Sequence, residues 1–292
     1  MVVWALRATW VTLPLTAGPA ASDALGEWST GPRVAGSVLL WAAWGAGLLA
    51  TLAPRPMGLT LLRALGPAFV VVAIVIAAGD ATTTLAAAGA VTATLLTAGL
   101  AAHPDVAMAA ANGAAYGDEQ RFPLHTPLPL FLGPLPFARA VAVAGLATGP
   151  LLLAAGRAVA SGVALALGLP AAVLAFRALH TLSRRWIVFV PAGLVIVDPM
   201  TLADPILCPR EHIRALRPVD TTTPSPGALD LRLGAIAGST ELVLNEAGDI
   251  VRATRGRHGG RTVRAARILV AVVRRQRALE TAARRRVRVE VR

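Results

Sequence analysis

Charge is scarce in this chain. Only 15% of its 292 residues are charged and 55% are hydrophobic, where an ordinary soluble domain carries roughly 25% charge. Lysine is absent, so all 28 basic residues are arginine. A GC-rich genome accounts for that bias; the alternative is selection for phosphate or headgroup contacts, where a forked guanidinium outperforms an ammonium. Cysteine occurs once, at Cys208. That excludes an intrachain disulfide and any cysteine-based metal cluster, and leaves the thiol as a small core residue. A phosphate-cradling glycine loop, an HExxH motif and a GxSxG nucleophile turn are all missing. No residue therefore earns a catalytic label, and neither a metal nor a cofactor is expected.

What is present is a series of long apolar runs. A membrane span needs about 20 mostly apolar residues, and five stretches qualify: Val34 to Ala53, Leu65 to Gly79, Thr82 to Ala102, Phe137 to Gly156 and Val159 to Leu179. The second is short and begins nearer Gly58 if Arg63 snorkels. The last two flank a tight connection at Arg157 and read as a helical hairpin. Met1 to Ala21 is apolar but interrupted by Arg7 and Pro14, which leaves a sixth span, a surface helix and a signal peptide all open. The length suits about two domains, with 1–183 as a multi-span helical region and 184–292 as a polar one.

Arginine counts set the expected orientation. One set of loops holds seven (Arg55, Arg63, Arg121, Arg139, Arg177, Arg184, Arg185); the other holds two (Arg33, Arg157). The first set is expected in the cytoplasm, with the tail beside it, in a multi-pass protein of the plasma membrane. Twenty arginines against ten acids follow residue 183, so about +10 of the formal +12 lies there. Inside the spans no Asp, Glu, Lys, Arg or His occurs away from the ends, which argues against proton-coupled transport. Gly145 and Gly149 form a GxxxG pair, either a close-packing device or a product of an Ala/Gly-rich composition. Pro67, Pro150 and Pro170 favour kinks, absorbed by neighbours or opening a cavity.

Residues 103–136 form a long loop with His103, Asp105, Asp118, Glu119, Arg121 and His125, then prolines at 123, 127, 129, 134 and 136. It reads as a charged, proline-stiffened connector. A membrane enzyme would keep its chemistry in such a loop, on His103, Asp105 and His125, but two ligands at His103 and Asp105 make no metal site.

From Arg185 the pattern becomes strand-like. Trp186–Val190 and Leu194–Val197 are β-branched and aromatic, joined by Pro191-Ala192-Gly193 in hairpin fashion. Ile206–Cys208, His212–Leu216 and Leu242–Leu244 are further strand candidates, and Thr221 to Gly227 reads as a flexible loop. Leu229, Leu231 and Leu233 alternate with Asp230 and Arg232, giving one buried and one wet face. Residues 247–262 fit a strand pattern poorly. A helix is expected over Arg261 to Arg286, with Ile268, Leu269, Val272, Val273 and Leu279 on its apolar stripe. Arg264, Arg267, Arg274, Arg275 and Arg277 surround that stripe and are the candidate lipid- or partner-binding residues.

Arg185–Asp198, followed by Pro209-Arg210-Glu211-His212-Ile213, resembles the opening of bacterial pleckstrin-homology-like domains. With Gly117-Asp118-Glu119-Gln120-Arg121-Phe122-Pro123-Leu124, the chain also resembles actinobacterial multi-span membrane proteins bearing such a domain. The likeness implies an α-helical transmembrane bundle of five or six spans, then a small β-rich domain with a C-terminal helix. It brings no assigned activity. The leading expectation is a non-enzymatic, membrane-tethered module in the lipid bilayer. Its basic domain would bind anionic headgroups or a cytosolic or membrane protein partner, and a homo-oligomer is compatible. The alternative is a small-solute or lipid transporter using kinked spans, which calls for a polar cavity among them. Nucleic acid binding is disfavoured, because the tail lacks interleaved aromatics and a recognisable module.

Overall fold

The computed structural model describes residues 1–219, 227–254 and 260–290. The chain divides into two compact units: Met1–Ala110 with Pro134–His180, and Ala111–Gly133 with Thr181–Arg292.

The first unit is helical. It contains α1 (Val2–Thr16), α2 (Gly18–Gly26), α3 (Thr30–Leu52), α4 (Pro56–Ala77), α5 (Thr84–Ala102), α8 (Pro134–Ala154) and α9 (Ala158–Leu182), the last extending just past the unit's edge; α6 (Pro104–Asn112) and α7 (Leu128–Phe131) lie between α5 and α8. Five of these, α3, α4, α5, α8 and α9, are long and apolar enough to cross a membrane. They coincide with the five expected spans. The second starts at Pro56, which suits the first turn because its missing N–H needs no partner there. Arg63 thus lies inside α4.

The N-terminal segment packs as part of the bundle, as two helices broken at Ala17, with Leu6, Trp10 and Leu13 buried. Trp10 explains the docking. Its Nε1 donates to the Trp44 carbonyl at 2.9 Å, and Trp44 Nε1 donates back to the Trp10 carbonyl at 2.9 Å. Its indole occupies the space where a side chain at Gly47 would stand, and meets Phe69 edge-on at 5.8 Å. Arg7 Nε donates to the Thr51 carbonyl at 3.0 Å, a cation placed at the C-terminal end of α3.

Gly145 and Gly149 are used for close packing. A Cβ at Gly145 would strike the Gly168 carbonyl, one at Gly149 would strike Leu165, and Ser161 Oγ donates to the Gly149 carbonyl at 2.9 Å. Small residues therefore let α8 and α9 meet backbone to backbone. Pro67, Pro150 and Pro170 each lie inside a continuous helix.

The second unit holds two four-stranded sheets. The first has the order β1-β2-β3-β4, from β1 (Gln120–Pro123), β2 (Trp186–Val190), β3 (Gly193–Val197) and β4 (Ile206–Pro209), all antiparallel. The expected hairpin is present, closed by Pro191 and Ala192 with Val190 opposite Gly193. A short 3-10 turn (Arg210–His212) leads to the second sheet, of order β5-β7-β8-β6. Its strands are β5 (Ile213–Pro218), β6 (Leu229–Asp230), β7 (Ser239–Ala253) and β8 (Gly260–Ala271), followed by α10 (Arg275–Arg284). Phe189, Ile187, Leu194, Ile196, Leu242 and Ile268 are almost completely buried in this unit.

Three expectations need correction. The loop over residues 103–136 is more than a connector: Gln120–Pro123 forms β1 and pairs with β2, Pro123 opposite Trp186. The side-chain amide of Asn112 completes that strand's edge, donating to the Arg121 carbonyl at 2.8 Å and accepting from its N–H at 2.9 Å. The helix expected over Arg261 to Arg286 is instead a strand and a short helix. Ile268–Val273 is a continuous apolar run buried throughout, and so short a run fits a two-sided buried strand as well as a helical stripe. Its β-branched residues favour the strand, and residues 239–253 supply the partner. Finally, Arg232 is not on a wet face. Positive φ at Leu233 (54°) and Gly234 (88°) turns the chain directly after it, and its side chain is 3% exposed. Of the loop expected over Thr221 to Gly227, residues 221–226 lie outside the described residues, as do Arg255, Arg257 and His258.

Candidate functional site

The five singled-out arginines do not share a helical stripe. Arg264 and Arg267 are exposed on β8, three positions apart, so they point to opposite sides of the strand. Arg264 Nε donates to the Ala247 carbonyl at 3.3 Å. Arg274 is exposed and left-handed (φ 56°, ψ 47°) and caps α10; Arg275 is half-buried, with Nη1 donating to the Ser239 carbonyl at 3.3 Å. Arg277 is exposed on the first turn of α10.

A wider set of residues extends this basic character. Between residues 260 and 290 stand ten arginines against two glutamates, and eight of the arginines are exposed. Arg261, Arg284, Arg286 and Arg288 are the exposed members outside the original five. The Arg284-Arg285-Arg286 run, at the end where a helix favours cations, is the sequence signal for Arg284 and Arg286. Arg285 is half-buried and donates to the Asp118 carbonyl.

Other arginines serve the framework. Arg185 and Asp198, with side chains 1% and 0% exposed, form a two-pronged pair, Nε to Oδ1 and Nη2 to Oδ2 both at 2.8 Å. Arg185 also donates to the carbonyls of His125 and Leu231 at 3.1 Å. Arg232 makes the same fork to Asp230 (3.0 and 2.8 Å) and donates to Ser239 Oγ at 3.2 Å. Burial pushes the Asp230 carboxyl up, but the Arg232 hydrogen bonds and charge, with the Arg252 charge, outweigh it and hold the carboxyl below its ordinary value. The Arg232 guanidinium is correspondingly held above its own, first by its hydrogen bond to Asp230. Glu241, fully buried, takes Arg217 Nε at 2.7 Å on Oε2, while its Oε1 has no hydrogen-bond partner.

The residues considered for chemistry divide between the two units. His103 ends α5 and accepts from the Asp105 N–H at 3.2 Å, both in the helical unit, whereas His125 belongs to the β unit. Burial lowers the His125 pKa below its ordinary value and so favours the neutral ring. Burial likewise pushes the Cys208 thiol up to about 11. Among the described residues no three His, Cys, Asp or Glu side chains gather to hold a metal ion.

The helical unit contains a cavity of about 380 Å³ bounded by α1, α2, α3, α4 and α5. Its walls are mostly apolar, including Leu13, Leu40, Phe69 and Ile76, with Ser22, Arg33, Ser37 and Thr94 as the polar exceptions. Thr94 Oγ1 donates to carbonyls of its own helix at 2.8 and 3.1 Å, so the polar lining a small-solute path calls for is thin. Comparison with protein-family models, curated proteins and solved structures returns no match.

Proposed function

We propose that this protein is a non-enzymatic, membrane-tethered module whose arginine-rich β unit lies on the cytosolic side and binds the anionic headgroups of its own membrane. The observation that carries this reading is the surplus of eight exposed arginines over residues 260–290, where only two glutamates occur. Each basic residue near an anionic leaflet contributes about 1 kcal/mol, and arginine adds forked recognition of phosphate oxygens. Only residues 183–185 separate α9 from β2, so the tether is short and the effective concentration of headgroups high. Two four-stranded sheets followed by α10 support a pleckstrin-homology-like reading of this unit. The seven-to-two arginine imbalance of the loops supports its cytosolic side.

The test uses full-length protein in phosphatidylcholine nanodiscs, with and without phosphatidylglycerol, followed by hydrogen exchange. Peptides from residues 260–290 are expected to gain protection only in anionic discs, and to lose it at high salt. Replacing Arg274, Arg277 and Arg284 by Gln should weaken the effect roughly a hundredfold, at about 1 kcal/mol per arginine. Equal exchange in both discs would refute headgroup binding and leave an acidic protein partner as the reading to test by crosslinking.

A further inference from the structure

The helical unit is packed unevenly along its length. One half is filled by Leu6, Trp10, Leu59, Leu62 and Val106, with Leu13 at its limit. The other half has a buried cluster of three alanines only, Ala20, Ala73 and Ala90. The cavity lies in that alanine half. Its walls come from the first part of α3 (Arg33 to Trp44), the last part of α4 (Phe69 to Ile76), the start of α5 (Ala90, Thr94) and the α1–α2 break. All belong to the end of the bundle that bears the α4–α5 turn. The cause is local: α1 stops at Thr16, the chain restarts as α2 at Gly18, and small side chains occupy the space bulky ones fill at the opposite end.

The cavity opens to the outer surface of the helical unit. Trp41 and Val72, which line it, are 59% and 38% exposed. Arg33 is its one charged lining residue; it is exposed, and its guanidinium makes no hydrogen bond or ion pair with any described residue. Asp23, on the same edge, is engaged by Thr82 Oγ1 at 2.8 Å, and neither Glu27 nor Asp80 lines the cavity. An apolar chamber with an unoccupied cation at its rim matches an amphiphile with a hydrocarbon chain and a single negative head. The volume falls at the low end of small-molecule sites, which run about 300–1,000 Å³.

We infer that this cavity seats one acyl chain of an anionic amphiphile, with its carboxylate or phosphate head held by Arg33. The inference is independent of the β-unit proposal, since none of these residues belongs to that unit. The test is electron spin resonance on full-length protein reconstituted in phosphatidylcholine, with chain-labelled stearate, its methyl ester and chain-labelled lysophosphatidylglycerol. The motionally restricted fraction should be about two- to fivefold larger for an anionic probe than for the ester, the range an exposed charge pair supports. Restriction of only one anionic probe identifies the head as carboxylate or as phosphate; restriction of both shows that charge alone is read. Arg33→Gln should erase the preference, and Arg33→Lys should keep it. Ala21→Leu with Ser37→Leu, which fills the chamber from its walls, should lower the restricted fraction of all three probes to the level that the outer helix surfaces alone impose. Equal restriction of acid and ester by the native protein, or no change in the filled variant, would overturn the inference.

Discussion

At the residue scale the arginines divide into two populations with opposite energetics. Arg185, Arg217 and Arg232 are committed to carboxylates inside the β unit, while the exposed arginines of β8 and α10 face water. Removing one partner of a fully buried pair strands the other charge, which typically costs about 3–5 kcal/mol, whereas replacing both by apolar residues is often nearly neutral. Asp198→Ala is therefore expected to lower the stability of the β unit by that order, read as a lower urea midpoint for its proteolytic protection. Arg185→Met with Asp198→Leu should recover most of it, less the two carbonyl contacts of Arg185. A double variant as damaged as the single would show that the backbone contacts dominate, the two carbonyls that accept from Arg185 and the Met200 N–H on Asp198 Oδ1 at 3.1 Å. Nothing in the alternation Leu229-Asp230-Leu231-Arg232 separates a buried arginine from a wet one. The turn at Leu233 and Gly234 decides it; Gly234 is suited to positive φ, but Leu233, which begins the turn, hides it because leucine rarely adopts that conformation.

At the element scale, legibility followed the range of the interactions. The spans were readable because twenty apolar residues in a row leave one solution, and the β2–β3 hairpin because its signal and its partner lie within twelve residues of each other. β1 was hidden: Gln120-Arg121-Phe122-Pro123 is four residues long with a terminal proline, and its partner lies beyond two spans. β8 was misread because its apolar run obeys two periodicities and only pairing with β7 chooses between them. Of the candidate site, the basic character was legible but its geometry was not, since that depends on the strand assignment. The α8–α9 packing gives a test at this scale. Gly145→Ile places a branched side chain against the Gly168 carbonyl. Overpacking of this kind costs about 1–3 kcal/mol, so the thermal midpoint in detergent should fall, while the same change at Gly162, where no atom lies near the missing Cβ, should leave it unaltered.

On the scale of the whole molecule, the β unit is built from two separate stretches of chain. A protein lacking residues 184–292 would keep β1 but lose β2, so such a truncation removes more than a tail. Conversely, residues 184–292 expressed alone would expose the β2 edge, with the Phe122–Phe189 edge-on contact (5.6 Å) lost. Uncovered edges template association. That fragment is expected to aggregate, and fusing residues 111–133 ahead of it through a flexible linker should restore a soluble monomer by size-exclusion chromatography. Equal solubility of the two would show β1 to be dispensable.

The placement of β1 ahead of the α8–α9 hairpin also orders events during synthesis. The 62 residues from Leu124 to Arg185 must be made before β2 can meet β1, roughly 3–12 s at typical elongation rates of about 5–20 residues/s. In that interval the hairpin either inserts with both ends on one side or fails. Only the first outcome returns β2 to the compartment where β1 waits; a hairpin with one helix left out strands the two on opposite faces of the bilayer. A misinserted hairpin would thus leave the first sheet unable to join β1 to β2, so that a topological error would carry a folding error with it.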